Sequence, residues 1–322
     1  MPSDSAAGGA AEGGAGSDAP APAPPQTGLL TAGAWDDNRN FERFLGYRSA
    51  LAAERLPGLL PILEPELRTA HDALGTSLAA HDTLDISLVV DTTGSMGDEI
   101  AYLQAEFAGI SSTIAAQHPN AKQRWSLVTY RDVGDDYVVK TVDFQTDAEQ
   151  FRLELAKQHA GGGGDIPEAP DQGMAALPQL AWRSGDNNAR LAFWVADAPH
   201  HADKATAMAA ALRDVRDLGV HVYPVAASGV DELTELSMRT AAQLTGGRYL
   251  FLTNDSGIGD DHKEPTIPCY FVTSLRSAIL RMVDIELSGK YHEPSATEVI
   301  RTGGDPQDGA CNLGSGEQVF VY

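Results

Sequence analysis

The chain has 322 residues, 43% of them hydrophobic, and 45 Asp and Glu against 23 Lys and Arg give it a formal charge of −22. So acidic a chain, with no clustered Lys and Arg, excludes nucleic acid and anionic lipid as partners, because nothing is present to displace phosphate counterions. No apolar run approaches the ~20 residues that span a bilayer, so the chain reads as soluble with no transmembrane segment.

Residues 1–27 are mostly Ala, Gly and Pro with Ser, Asp and Glu, and nothing there offsets the entropy of ordering, so a disordered linker is expected. The Ala-Pro alternation over residues 19–25 should be stiff and extended, which suits a membrane tether. No signal peptide is visible, since residues after Met1 lack a basic start and an apolar core. Residues 28–83 turn globular in composition. Pro57, Pro61 and Pro65 exclude a long uninterrupted helix, and apolar residues over 56–74 have strand-like spacing, so extended elements packing on the main domain are expected.

A clearer rhythm begins at residue 84. Residues 85–90 predict a buried strand, and residues 98–117 a helix with Ile100, Leu103, Phe107, Ile110 and Ile114 on one face. Strands follow over 125–130 and 137–144, then a helix over 148–159. Beyond a glycine run come a helix over 168–180, a strand over 189–196, a helix over 204–218 and a strand over 220–225. A helix over 232–244, a strand over 248–252 and a helix over 274–287 close the series, and residues 319–322 end the chain as a strand. This alternation predicts an α/β fold: a doubly wound, mostly parallel central sheet with helices on both faces. The pair of strands within 125–144, joined by Gly134, Asp135 and Asp136, supplies one antiparallel edge strand. The main domain is thus 84–287, braced by the extension at 28–83 and a C-terminal extension at 288–322.

In such sheets ligands bind outside the carboxyl ends of the strands, so the loops there carry the chemistry. The first is Asp91-Thr92-Thr93-Gly94-Ser95, with Asp91, Thr93 and Ser95 at alternate positions. The second is the glycine run of residues 161–164 followed by Asp165, Ile166, Pro167 and Glu168. The third begins at Asp197 and continues to His200. Oxygen ligands from three loops on one rim suit a hard divalent cation, Mg2+ first, with Mn2+ or Ca2+ as alternatives. Arg131 and Asp132, after the 125–130 strand, are placed to orient the site or to form an ordinary ion pair. Glu168 is placed to hydrogen-bond the ligands or to stabilise a helix start, and His200 to line the ligand surface.

These motifs, in this order, resemble the von Willebrand factor type A domain and its metal-ion-dependent adhesion site. The Asp-x-Ser-x-Ser pattern of that family stands here as Asp91-Thr92-Thr93-Gly94-Ser95, with the hydroxyl preserved at Thr93, and the third-loop aspartate falls on Asp197. The resemblance implies that Thr93 and Ser95 ligate the metal directly, while Asp91 and Asp197 bind it directly or through water. The middle loop, usually a Thr, is here Asp165, in a form that looks like the bacterial-type Gly-Gly-Gly-Asp-x-Pro-Glu variant. A carboxylate there raises the protein charge at the ion and weakens its pull on a partner's carboxylate.

The function implied is a non-catalytic, cation-dependent protein-recognition or adhesion module whose partner offers an acidic side chain or other oxygen. Two alternatives stand beside it. A Mg2+-dependent phosphatase of the haloacid dehalogenase type needs a second carboxylate where Thr93 stands. A scaffold would carry the metal as a purely structural part. Cys269 and Cys311 match no metal-binding spacing; they either bridge each other or remain two buried thiols. A bridge and the tether-like start point to a periplasmic or cell-surface location, with lipid anchoring as one form and the cytoplasm as the other choice.

Overall fold

A computed structural model describes residues 30–74, 80–164, 166–256, 262–263, 265–314 and 316–322, so the expectations for residues 1–27 and for Asp165 lie outside the described residues. In chain order the elements are β1 (Thr31–Trp35), α1 (Phe41–Ala53), α2 (Glu64–Leu74), β2 (Thr83–Asp91), α3 (Gly97–Gln117), β3 (Lys122–Tyr130), β4 (Val139–Gln145) and α4 (Ala148–Leu155). They continue with α5 (Pro170–Ala176), β5 (Asn188–Ala196), α6 (Ala205–Asp217), β6 (His221–Ala226), α7 (Glu232–Thr245) and β7 (Tyr249–Thr253). The last are β8 (Tyr270–Ser274), α8 (Leu275–Ser288), β9 (Arg301–Gly303), β10 (Ala310–Asn312) and β11 (Gln318–Phe320).

Nine strands form one sheet in the order β4-β3-β2-β5-β6-β7-β1-β8-β9. Its centre is parallel, β3, β2, β5, β6 and β7 all running the same way, and β4 is the antiparallel strand at the β3 edge. β2 shows why the centre forms. Leu84, Ile86, Leu88 and Val90 point to one face and Val89 to the other, all buried, and each aliphatic side chain so buried is worth about 1.5–3 kcal/mol. The first face is covered by α3, α4 and α8, with Ile100, Leu103, Phe107, Ile110 and Ile114 of α3 inward. The second is covered by α1, α2, α5, α6 and α7.

Beyond β7 the sheet extends by β1, β8 and β9, each antiparallel to its neighbour. β1 comes from the N-terminal segment and is wedged between β7 and β8, so that segment is part of the sheet as well as packed on it. The expectation of extended elements over residues 56–74 is corrected by α2. Pro65 stands in the first turn of that helix, where a missing N–H removes no intrahelical bond, so it begins the helix instead of preventing it. The helices expected over 148–159 and 168–180 are shorter, at α4 and α5, the second starting on Pro170. At the far edge Cys269 and Cys311 form a disulfide, Cα to Cα 6.3 Å, tying the β10–β11 hairpin to the start of β8. No helix among the described residues is long and apolar enough to cross a membrane.

Candidate functional site

From β2 the chain moves outward to β3 and β4, then returns to β5 on the other side of β2. The carboxyl ends of β2 and β5 therefore flank the point where strand order reverses, the place at which open α/β sheets take their ligands. Asp91 is the last residue of β2, and Asp197 directly follows β5.

Asp91 is fully buried, and its Oδ1 accepts hydrogen bonds from the Thr93 backbone N–H (2.9 Å) and the Thr93 hydroxyl (2.7 Å). These bonds fold the chain into a tight turn that leads through the short 3-10 segment Gly94–Met96 into α3 and leaves Ser95 exposed. Among the described residues nothing hydrogen-bonds Asp91 Oδ2, Asp197 Oδ1 or Glu168 Oε2, although all three atoms are buried. Burial pushes the Asp91 carboxyl up to about 7, against the hydrogen bonds from Thr93, and the Asp197 charge adds to the rise. Burial also raises Asp197, opposed by the Ser95 hydroxyl. Glu168 is pushed up to about 8, first by burial and then by the charges of Asp91, Asp132, Asp135 and Asp197.

The glycine run lies across these strand ends and ties their loops together. Gly161 N–H donates to Thr92 O (3.0 Å), Gly94 N–H to Gly162 O (3.2 Å), and Gly163 N–H to the Asp135 carboxylate (3.1 Å). Gly163 has φ +66°, and a Cβ there would sit 2.8 Å from Thr93 Cβ and 2.9 Å from Glu168 Oε1. Only glycine lets the backbone come that close in that conformation. Glu168 N–H donates to Pro199 O (3.0 Å), which joins the middle loop to the third.

Asp91, Thr93, Asp197 and Glu168 are thus brought together, with Ser95 acting on Asp197. Arg131 is buried, donates from Nη2 to His159 O (2.9 Å) and lies 3.4 Å from a Cβ placed on Gly161, so it braces the glycine loop from behind. Asp132 accepts from or pairs with His201 Nε2 at 2.6 Å. His200 does not join the ligand surface: it is 1% exposed, and its Nε2 meets Gly58 O (2.8 Å) in the segment between α1 and α2. Burial lowers its pKa, and that inward packing takes it off the rim.

Three residues that the sequence reading did not assign to the site also belong here. Glu99, in the first turn of α3, is buried, accepts from Ser228 Oγ (3.3 Å), and is pushed up to about 7 by burial, with the Asp197 charge adding. Its signal was legible: it lies four residues before Leu103, on the helix's buried side. Tyr130, at the end of β3, accepts from Trp194 Nε1 (3.0 Å) and feels the charges of Asp91, Asp197 and Glu168. Asp135 holds Gly163 across a distance in sequence that no local pattern reveals.

Among the described residues no three His, Cys, Asp or Glu side chains gather as a metal-holding group, so a cation here would need the hydroxyls of Thr93 and Ser95 as well as carboxylates. The mixed oxygen donors, the unpartnered carboxylate oxygens and the glycine cradle suit a hard divalent cation.

Residues 85–253, more than half of the chain, match the family model described as von Willebrand factor A domain, a span from β2 through β7. Alpha-protein kinase vwkA of Dictyostelium discoideum is 26% identical over 134 residues, covering 41% of this chain and 21% of its own length. A putative ariadne-like RING finger protein, R811, of Acanthamoeba polyphaga mimivirus is 29% identical over 123 residues, covering 38% of this chain and 12% of its own. The chain thus spans a small part of either relative. Among solved structures, the pilus adhesin SpaC of Lactobacillus rhamnosus GG aligns at 12% identity and TM-score 0.40, covering 55% of this chain and 29% of that one. Its open conformation aligns at 13% and 0.37.

Proposed function

The chain belongs to the von Willebrand factor A domain family, and on that premise we propose that it is a non-catalytic recognition module whose adhesion-type site holds a divalent cation and accepts an oxygen from a protein partner. The observation that carries this reading is the pair of buried, unpartnered oxygens, Asp91 Oδ2 and Asp197 Oδ1, beside the Thr93 and Ser95 hydroxyls. Thr93 and Ser95 would hold Mg2+ directly, Asp91 and Asp197 directly or through water, and Asp165 would add a further carboxylate. When bound, the ion supplies the positive charge that offsets their repulsion and a position for an incoming oxygen. The chain's own contribution is to hold those donors still: Thr93 fixes Asp91, and the glycine loop, clamped by Asp135 and braced by Arg131, closes over them.

Isothermal titration with Mg2+ tests this. One-site binding is expected, abolished in Asp91→Ala with the circular dichroism spectrum retained; equal heats in both proteins would overturn the reading. Turnover of an aryl phosphate that Asp91→Asn abolishes would overturn the non-catalytic assignment. We also place the protein outside the cytoplasm, supported by the Cys269–Cys311 bridge. Thiol labelling of protein from its native source should find neither cysteine free.

A further inference from the structure

The two loops that meet at the glycine run carry features which the cation alone does not use. Val133, next to Asp132, is 65% exposed, and Ile166, two residues before Glu168, is 72% exposed. They are among the most solvent-exposed large hydrophobic residues described, and the Asp135–Gly163 hydrogen bonds hold their loops together at one rim. Two aliphatic side chains left in water on loops that these bonds tie together offer apolar contacts beside a polar site.

Charge then decides what fits it. Asp91, Asp132, Asp135 and Asp197 all act on Glu168, so five carboxylates share this rim. A divalent ion balances two of those charges; Arg131, behind the glycine loop, already lies 3.7 Å from Asp136, and His201 meets Asp132 at 2.6 Å. The loaded rim therefore stays negative. A partner bringing its own run of acidic residues meets repulsion, whereas Lys or Arg beside the ion-binding oxygen is attracted over roughly a Debye length, ~8–10 Å.

We propose that the rim formed by the β3–β4 turn and the glycine loop selects a basic, aliphatic protein segment: one oxygen for the cation, an aliphatic side chain on Val133 and Ile166, and a flanking Lys or Arg toward Asp132 and Asp135. This rests on the cation reading above and adds the chemistry of the partner.

The test uses a random heptapeptide library displayed on phage, panned on the full chain in Mg2+ and eluted with EDTA. Enriched sequences should place Lys or Arg within two residues of Val, Ile or Leu. A synthetic enriched peptide should bind the Val133→Ser, Ile166→Ser double variant about tenfold more weakly, the effect of losing an aliphatic contact. Both sites are exposed, so Mg2+ affinity and the melting temperature should hold. Eluted sequences dominated by Asp and Glu, no EDTA-elutable sequences from a chain that binds Mg2+, or equal affinity for the double variant would each overturn this inference. Failure of Mg2+ to bind in the titration overturns the cation reading instead.

Discussion

Two aspartates on one strand have opposite surroundings. Asp85 and Asp91 both lie on β2, both fully buried, and six residues apart they point to the same face of the sheet. Asp85, at the amino end, accepts from Arg124 Nε (2.9 Å) and Nη2 (2.6 Å), from Arg183 N–H (2.8 Å) and from Asn188 (3.2 Å), with Arg183 Nη2 at 3.1 Å. Asp91, at the carboxyl end, accepts from Thr93 on one oxygen and faces Asp197 and Glu168. One end of the strand satisfies its buried charge from within the chain; the other gathers like charges and leaves their oxygens open. The first arrangement holds the fold together, and the second stores an electrostatic penalty that a bound cation, as proposed above, would relieve.

The largest effect should come from breaking the satisfied end. Asp85→Ala strands two arginines against a buried strand end and should lower unfolding free energy by about 3–5 kcal/mol in denaturant titration. Mg2+ affinity should change little in the molecules that stay folded. A loss as small as that of a surface substitution would erase the contrast drawn above.

The open end should show its penalty in pH dependence. The Asp91 carboxyl, ordinarily near 3.8, stands at about 7 in the folded chain, so between those values the folded state holds a proton that the unfolded state has lost. The metal-free protein should therefore lose stability as pH rises from about 4 to about 7, by about 2–4 kcal/mol from this group. Glu168, at about 8, extends the loss upward. Thermal melts in EDTA at pH 5 and pH 8 should show the slope, and Asp91→Asn should flatten it. A slope of equal size in that variant would locate the penalty elsewhere.

The far edge offers a third comparison. Cys311→Ser opens a disulfide that spans 42 residues of sequence and should cost about 2–4 kcal/mol, read by denaturant unfolding, without altering Mg2+ affinity. Smallest in stability but sharp in binding is Gly163→Ala. A positive φ and a Cβ 2.8 Å from Thr93 should together cost about 1–2 kcal/mol and weaken Mg2+ binding as Thr93 is displaced. Unchanged Mg2+ binding there would mean that the glycine loop does not shape the donors.

Sequence alone determined the parts in which local periodicity and burial agree. The strand at β2, the inward face of α3 and the alternation through α8 were legible because each buries an unbroken apolar pattern. The first and third loops were legible because their oxygen-bearing residues sit at fixed offsets from those strands. Only the tertiary structure decided the rest. β1 is a five-residue strand whose place between β7 and β8 depends on partners more than 200 residues away. His200 leaves the rim because Gly58 offers its ring an acceptor. Asp85 and Asp91 are each a carboxylate on an apolar strand, and in sequence only the motif after Asp91 sets them apart. Their difference lies in Arg124, Arg183 and Asn188 at one end and Asp197 and Glu168 at the other, and a charge's energy is set by neighbours that only the folded chain brings near.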